Sequence, residues 1–436
     1  MKPREHFATR LGVVLSMIGV AVGLGNVWRF PYMVGSFGGG AFVLVYLATA
    51  LLIGVPALMT EWALGRETQR GTVGAFERGG LPFGRAVGWF FFVVVTAATA
   101  YYVNVIGWVG WHAVAELSTP LGRPVDGAWI LPPDAGVDAR SLLLQAICTT
   151  LVVGGCVVIL REGLRRGIER ASRVITPLLF VGLLVLVARS VTLPGATEGI
   201  RWLLRFDAGA LTPAVALAAL GQVVFSLALG GTFMVVYGSY LEPDHDLGST
   251  ALFTVLGDTG AGLLAGLAIV PAVFALGMEP GSGPGLVFAT LPEVLGQVRG
   301  GWVVGGVFFL ALGGAAFMSA VAAFEVLVAG ICDNTQVPRE RAIWIMASAV
   351  LLLSVPPMVN MEIFVPWDLT FGSGMQTLGA LVAVVTFGWA FARERALSAL
   401  ASGRPTALHR ALLLWIRFVL PGAILAVGAW WAVTTL

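Results

Sequence analysis

The hydrophobic residues of this chain form long runs that are separated by short charged or Gly/Pro-rich breaks. Most runs have about 20 residues or more, the length that a helix needs to cross roughly 30 Å of hydrocarbon. The runs at 90–100 and 350–356 lack the alternating polarity of a transmembrane barrel. The pattern therefore predicts an all-α polytopic membrane protein. It predicts about 11 transmembrane helices, called spans 1 to 11 below, near residues 8–34, 41–65, 84–117, 142–160, 170–189, 212–240, 247–276, 302–332, 340–356, 364–392 and 408–434.

Composition agrees with a membrane protein and argues against several function classes. The residues are 58% hydrophobic and 11% charged, and the mean hydropathy is +0.89. The net charge of +2 is a small remainder of 26 basic and 24 acidic residues, so it gives no indication of a nucleic-acid partner. Lys2 is the only lysine, so a Walker-type phosphate loop cannot occur, and no serine has the glycine spacing of a nucleophile elbow. We therefore expect that the protein is not an enzyme.

The charged residues predict the orientation of the chain. Arginines are concentrated in alternate breaks between the apolar runs, and the positive-inside rule places these breaks and the N-terminus in the cytoplasm. The loops at 117–140 and 277–299 and the C-terminus are then outside. The acidic loop at 242–246 is cytoplasmic by the count of spans. We expect a multi-pass protein of a bacterial or archaeal inner (cytoplasmic) membrane.

Two spans contain backbone breakers at mid-membrane depth. Span 1 has Gly19, Gly23 and Gly25 followed by Asn26, and span 6 has a similar stretch at 225–231. Unpaired carbonyls in hydrocarbon cost several kcal/mol each, so an unwound stretch there needs protein, water or an ion as its partner. Close helix packing explains an isolated glycine pair as well. Two breaks five spans apart instead favour an inverted repeat with a binding site at the breaks.

Several motifs point to one family. Residues 21–31 read AVGLGNVWRFP, residues 38–42 read GGGAF and residues 61–66 read EWALGR, and further motifs follow at 167–170, 221–226 and 237–240. Together they resemble the neurotransmitter:sodium symporter family, in its bacterial amino-acid transporter branch. The resemblance implies a five-plus-five inverted repeat in which helices 1 and 6 are broken at mid-membrane. The expected parts are a first repeat at 1–190, a second repeat at 191–393 with a re-entrant extracellular loop near 279–298, and helix 11 at 394–436.

The resemblance also implies two sodium sites. The first matches the Ala21 carbonyl, Asn26, Ser226 and Asp258, with the substrate carboxylate completing the shell; oxygen ligands suit a hard cation. The second matches the carbonyls of Gly19, Val22 and Ala315 and the hydroxyl of Ser319.

One position departs from the family pattern at the second site. The family carries a threonine or aspartate at position 318, whereas Met318 offers a soft thioether, a poor ligand for sodium. This leaves the second site weak, vacant or completed by water, so that one or two sodium ions are expected.

The implied substrate is an amino acid. The Gly25 amide and the Tyr102 hydroxyl are expected to hold its carboxylate, and the carbonyls of Ala21, Phe225 and Ser226 are expected to accept hydrogen bonds from its ammonium group. Family members that carry monoamines have an aspartate at the position of Gly23, so this substrate should bring its own carboxylate. Hydrophobic or aromatic L-amino acids best fit the inferred side-chain subsite, which consists of Val20, Leu24, Ala98, Phe225, Ala228, Gly231, Ser319 and Ala323.

Charged residues match the family's gates. Arg29 and Asp368, with Gln222 nearby, match the extracellular pair, and Arg4 and Asp333 match the cytoplasmic pair. A charge such as Arg29 inside an apolar run is expensive and usually functional. By contrast, we interpret the intramembrane carboxylates Glu61 and Glu325 as structural hydrogen-bonding partners.

The resulting expectation is a sodium-coupled symporter that imports hydrophobic or aromatic L-amino acids by alternating access. Chloride is not expected, because Gly262 replaces a serine of chloride-dependent relatives and Asp258 supplies a fixed negative charge. A proton-coupled or one-sodium transporter and a non-transporting amino-acid sensor stay open as alternatives. The expected partners are a small-molecule amino acid and the lipid bilayer, with no nucleic acid; the sequence leaves the oligomeric state open.

Overall fold

The computed structural model describes residues 5–122, 125–275, 277, 288, 300–401 and 405–435, and all regular structure in these ranges is helical. Nine helices in the described part are long and apolar enough to cross a membrane, and a bent pair adds a tenth span. The bent pair is Arg10–Ala21 with Gly25–Ser36, and the nine helices are Gly40–Thr68, Gly84–Leu121, Ala139–Arg161, Leu164–Ser190, Leu247–Ala275, Gly301–Asn334, Arg339–Val359, Met361–Ala390 and Ala407–Trp430. The prediction of a multi-span helical protein with a broken first helix is thus confirmed.

Short helices connect some of the spans. Thr72–Arg78, Ala196–Leu204 and Arg393–Leu400 follow spans 2, 5 and 10. The re-entrant loop predicted near 279–298 lies outside the described residues, apart from Phe288.

Span 1 breaks where the glycines predicted a break. The helix Arg10–Ala21 ends at an extended Val22, and the chain resumes as the wide helical turn Gly25–Arg29, followed by the helix Phe30–Ser36. The two halves are bent by 55°. Gly25 allows close contact with span 6, because a Cβ there would lie 2.9 Å from Cδ1 of Phe225.

Span 6 is interrupted by six residues, 227–232, between the helices Pro213–Ser226 and Phe233–Gly238. Ala228 and Thr232 adopt left-handed backbone angles, with φ of 51° and 58°, and Gly230 has φ of 81°. Such angles are costly for residues with a Cβ and persist only where surrounding contacts hold them. One such contact comes from span 2, where Glu61 Oε1 accepts a hydrogen bond of 2.8 Å from the Gly230 amide.

The broken spans lie among buried helices. In the most apolar stretch of span 3, Gly84–Leu121, 83% of the residues are buried inside the protein. In the corresponding stretch of span 4, Ala139–Arg161, 28% of the residues are buried. Span 3 packs along span 8, Gly301–Asn334, and both contribute small buried residues such as Ala98 and Ala323. Spans 3 and 8 therefore form an inner wall beside the breaks, and span 4 is a peripheral helix.

Candidate substrate and ion site

A cavity of about 80 Å³ lies at the two helix breaks. Spans 1, 3, 6 and 8 supply most of its wall. The predicted substrate residues in the wall are Val20, Ala21, Leu24, Gly25, Ala98, Tyr102, Phe225, Ala228, Ser319 and Ala323.

Two predicted substrate residues lie outside this wall, and other residues take part that the sequence analysis did not select. Ser226 instead donates a hydrogen bond to Asp258, in the buried cluster described below. Gly231 is covered by Phe233, whose ring occupies the space that a Cβ at position 231 would enter. The unselected residues of the wall are Gly23, Thr99, Tyr101, Phe233 and Gln376.

One end of the cavity is polar and requires a glycine. A Cβ at Gly23 would lie 2.9 Å from both the Ser319 Oγ and the Tyr102 hydroxyl. The missing side chain therefore keeps these two hydroxyl groups close to the backbone of the first break. Ser319 Oγ donates to the Val20 carbonyl oxygen at 3.1 Å and lies 3.4 Å from that of Val22.

The three side chains predicted at the first sodium site meet in one buried cluster. Asn26 Nδ2 lies 3.0 Å from Ser226 Oγ and 2.7 Å from Asp258 Oδ1. Ser226 Oγ donates to Asp258 Oδ2 at 2.5 Å, and the Tyr46 hydroxyl donates to the same oxygen at 3.2 Å. Each of the three predicted side chains is 1% exposed.

The chemistry of this cluster fits a sodium ion. In the part of the chain that the structure describes, Asp258 has amide and hydroxyl partners but no ion pair with a basic side chain. A buried carboxylate without a cationic partner is costly, so a bound cation would stabilise it. Asn26 Oδ1 accepts a hydrogen bond of 3.1 Å from the Gly23 amide, which turns Nδ2 towards Ser226 and Asp258, so the side chain would have to reorient to present its oxygen to an ion.

The second predicted set contains carbonyl and hydroxyl oxygens but no carboxylate. Met318 and Ala315 are buried on span 8, and Met318 Cβ lies 3.7 Å from where a Cβ of Gly19 would be. Span 5 brings hydroxyl groups to the same glycine: Thr176 Oγ1 would lie 3.1 Å from that Cβ, and Ser172 Oγ 3.6 Å. The sequence analysis did not select these hydroxyl groups, because they come from a span that it did not place at the site.

Arg29 and Asp368, the pair predicted as the extracellular gate, are not joined to each other in the described part of the chain. Arg29 Nη1 donates to Gln222 Oε1 at 3.2 Å, and its guanidinium lies 4.7 Å from the centre of the Phe225 ring. No ion pair within 4.0 Å joins Arg29 to Asp368 in the described ranges. Gln222 also donates to the Gly25 carbonyl oxygen at 2.9 Å. Arg29 and Gln222 thus connect spans 1 and 6 close to the cavity.

At the end of span 8, Asp333 holds the short loop after span 2. Its Oδ2 accepts from the Gly71 amide at 2.7 Å, and its carbonyl oxygen accepts from Arg70 Nη1 at 2.8 Å. Arg4, its predicted partner, lies outside the described residues. Glu325 forms an ion pair with Arg339 at 2.6 Å and accepts a hydrogen bond from Tyr240, which agrees with a structural interpretation of this carboxylate.

The loop at 242–246 is tied to the end of span 2. Arg66 Nη1 donates to the His245 carbonyl oxygen and Nη2 to that of Ala399, both at 2.6 Å. Burial, together with the positive charges of Arg66 and Arg10, lowers the pKa of His245. His245 is therefore neutral at pH 7, and the loop gains no positive charge from it.

Three comparisons place this architecture among known proteins. Residues 4–129 and 130–427 match the model of the sodium:neurotransmitter symporter family. An uncharacterized sodium-dependent transporter of Haemophilus influenzae is 30% identical over 98% of both chains, and the uncharacterized sodium-dependent transporter YhdH of Bacillus subtilis is 32% identical over 97% of this chain and 96% of its own. The crystal structure of MhsT in complex with L-phenylalanine is similar with a TM-score of 0.85 and 34% identity, covering 98% of this chain and 99% of the other. This chain belongs to the sodium:neurotransmitter symporter family.

Proposed function

We propose that this protein is a sodium-coupled symporter that imports hydrophobic or aromatic L-amino acids by alternating access, without chloride. The observation that carries the proposal is the buried Asp258 carboxylate, which contacts Asn26 and Ser226 directly beside the cavity at the two breaks. The sodium-dependent relatives support the choice of ion.

The site offers a direct route for coupling between ion and substrate. Asn26 follows Gly25 in the sequence, and Ser226 follows Phe225, so each broken span carries a cavity residue next to an ion ligand. A substrate carboxylate at the Gly25 amide would reach the same ion. Binding of each ligand then raises the affinity for the other by the same factor, which is the linkage that symport requires.

The cavity supports a neutral amino acid with an apolar side chain. None of the described residues in its wall carries a charge, so an acidic or basic side chain would be buried without a partner. The wall beyond the polar end includes Leu24, Ala98, Phe225, Phe233 and Ala323. The L-phenylalanine held by the similar MhsT structure supports the same class of substrate.

Asp258 also accounts for the proposed independence of chloride. Its carboxylate accepts from Ser226, Asn26 and Tyr46, and these contacts support a fixed negative charge that would replace the anion of chloride-dependent family members. The Cβ of a residue at Gly262 would lie 3.3 Å from the Phe30 ring, so an added serine there would meet an aromatic wall.

The second sodium site, formed by Gly19, Val22, Ala315 and Ser319, is proposed to be the weaker one. Met318 contributes no oxygen, and none of the four proposed ligands carries a charge. One strongly bound sodium ion is therefore proposed, with a second ion bound weakly.

During transport, the cavity would open to one side of the membrane at a time. Arg29, Gln222 and Asp368 are proposed as the extracellular gate, and Asp333 with Arg4 as the cytoplasmic gate. The two predicted repeats, 1–190 and 191–393, would rearrange around the fixed breaks, with helix 11 at 394–436 outside them.

Uptake into proteoliposomes tests the proposal. Purified protein would be given a panel of amino acids, with sodium, proton and chloride gradients imposed separately. We expect accumulation of aromatic or large aliphatic amino acids under a sodium gradient alone. Accumulation under a proton gradient alone would contradict sodium coupling, and binding without any accumulation would indicate a sensor.

Substitution of Ala98 tests the substrate class. Ala98→Val adds two methyl carbons to the buried wall, so affinity for tryptophan should fall about fivefold more than affinity for alanine. Competition binding on wild type and variant measures this ratio. An equal loss for both amino acids would mean general damage to the site and would contradict a side-chain subsite at Ala98.

A further inference from the structure

Span 10 contributes one polar side chain to the cavity, Gln376, which the sequence analysis did not place there. Gln376 lines the main cavity and also a second cavity of about 50 Å³, whose wall includes Arg29, Thr377 and Trp430. Gln376 thus lies between the main cavity and a second, smaller pocket, called the outer pocket below.

The backbone of span 10 fixes the position of Gln376 at the break in span 6. A Cβ at Gly230 would overlap the Gln376 carbonyl oxygen, and a Cβ at Gly379 would overlap the Gly230 carbonyl oxygen. The two backbones are therefore in direct contact, and glycine is required on both sides. Gln376 consequently lies level with the cavity, where Ala228 and Phe233 flank the same break.

The amide of Gln376 is not committed to another group. Within the described ranges the half-buried side chain of Gln376 makes no hydrogen bond, whereas the Thr99 hydroxyl donates to the Val95 carbonyl oxygen at 2.7 Å. The adjoining wall consists of apolar side chains such as Phe225, Ala228 and Phe233. An amide has both donor and acceptor atoms, and a bound apolar side chain would exclude water from it without replacing the lost hydrogen bonds.

We propose that Gln376 recognises a polar atom on the ring of an aromatic substrate, so that tyrosine and tryptophan are preferred over phenylalanine. The amide oxygen would accept from a phenol hydroxyl or an indole N–H, while the ring packs on the apolar wall. A charged side chain is not favoured, because an amide provides no counter-charge. This inference rests on the proposed amino-acid transport and narrows its substrate class.

The size of the effect follows from the loss of one neutral hydrogen bond. Such a bond contributes about 1 kcal/mol, so wild type should bind tyrosine about fivefold more tightly than phenylalanine. Gln376→Leu should remove this preference, because leucine has a similar volume and no polar atom. Affinity for phenylalanine should stay the same or improve.

Competition binding with phenylalanine, tyrosine and tryptophan tests the inference on wild type, Gln376→Leu, Gln376→Asn and Thr377→Val. Gln376→Asn keeps the amide but shortens it, so it should also lose the preference. Thr377→Val, at a residue that lines only the outer pocket, should keep it. Thermal unfolding of each purified variant checks that the fold is intact, and Gln376→Asn serves as the test if Gln376→Leu does not fold.

The results distinguish a failure of the proposed role of Gln376 from a failure of the proposed aromatic substrate class. A tyrosine-to-phenylalanine ratio near one in wild type, or an equal loss for all three amino acids in both Gln376 variants, would overturn the role of Gln376 and leave the transport proposal standing. If wild type bound none of the three while binding another neutral amino acid, the aromatic substrate class would fail as well.

Discussion

The two candidate sodium sites share the break in span 1 but differ in the ligands that the rest of the chain supplies. The first has a buried carboxylate, Asp258, in contact with Asn26 and Ser226. The second has a buried thioether, Met318, and a hydroxyl, Ser319, that already donates to backbone carbonyl groups. The proposed difference in sodium affinity between the two sites therefore rests on whether a side chain adds a full charge.

The largest effect on sodium affinity is expected from removal of the Asp258 charge. Asp258→Asn should raise the half-saturating sodium concentration about 100-fold, because it removes the charge that stabilises a buried cation. Added chloride should partly restore uptake by replacing the lost charge. Glu242→Gln, which removes an exposed carboxylate from the loop at 242–246, is the matched control and should leave sodium dependence unchanged. An unchanged response of Asp258→Asn to sodium would remove the first site from the mechanism.

A matched pair of serine substitutions compares the two sites directly. Ser226→Ala removes an oxygen that contacts Asp258, and Ser319→Ala removes the hydroxyl of the second set. We expect sodium affinity to fall about tenfold in Ser226→Ala and about threefold in Ser319→Ala, because the first removes an oxygen ligand from the strongly binding site beside the Asp258 carboxylate and the second removes one from a site without a charged ligand. Equilibrium binding of radiolabelled sodium measures both. A larger loss in Ser319→Ala would reverse the proposed ranking.

The smallest effect is expected from restoring an oxygen at the second site. Met318→Thr should steepen the sodium dependence of uptake, with an apparent Hill coefficient moving from near one towards two. Thr176→Val, which removes the span 5 hydroxyl beside Gly19, tests whether that group assists the weak site. The interpretation of Met318 fails if wild type already shows strong cooperativity that Met318→Thr does not change.

The sequence could predict features that depend on local pattern. The long apolar runs predicted the spans, and the glycines at 19–25 predicted the break that the structure places after Ala21. Asn26, Ser226 and Asp258 meet as the family resemblance implied, although Ser226 and Asp258 follow Asn26 by 200 and 232 positions in the chain.

Other features depend on packing between distant spans, which no local pattern records. Phe233 fills the space beside Gly231, so a small residue in the sequence did not mean free volume in the structure. Gln376 reaches the cavity only because span 10 packs backbone to backbone against Gly230. The hydroxyl groups near Gly19 come from span 5, which packs against span 1 although it is distant in the sequence.

Sodium binding in the absence of chloride tests the central claim most directly. Purified protein, saturated with a bound amino acid in gluconate buffer, would be titrated with radiolabelled sodium, in parallel with Asp258→Asn. The account predicts saturable sodium binding by wild type without chloride, and binding about 100-fold weaker in the variant. Sodium binding that requires chloride in wild type, or that is equal in both proteins, would contradict it.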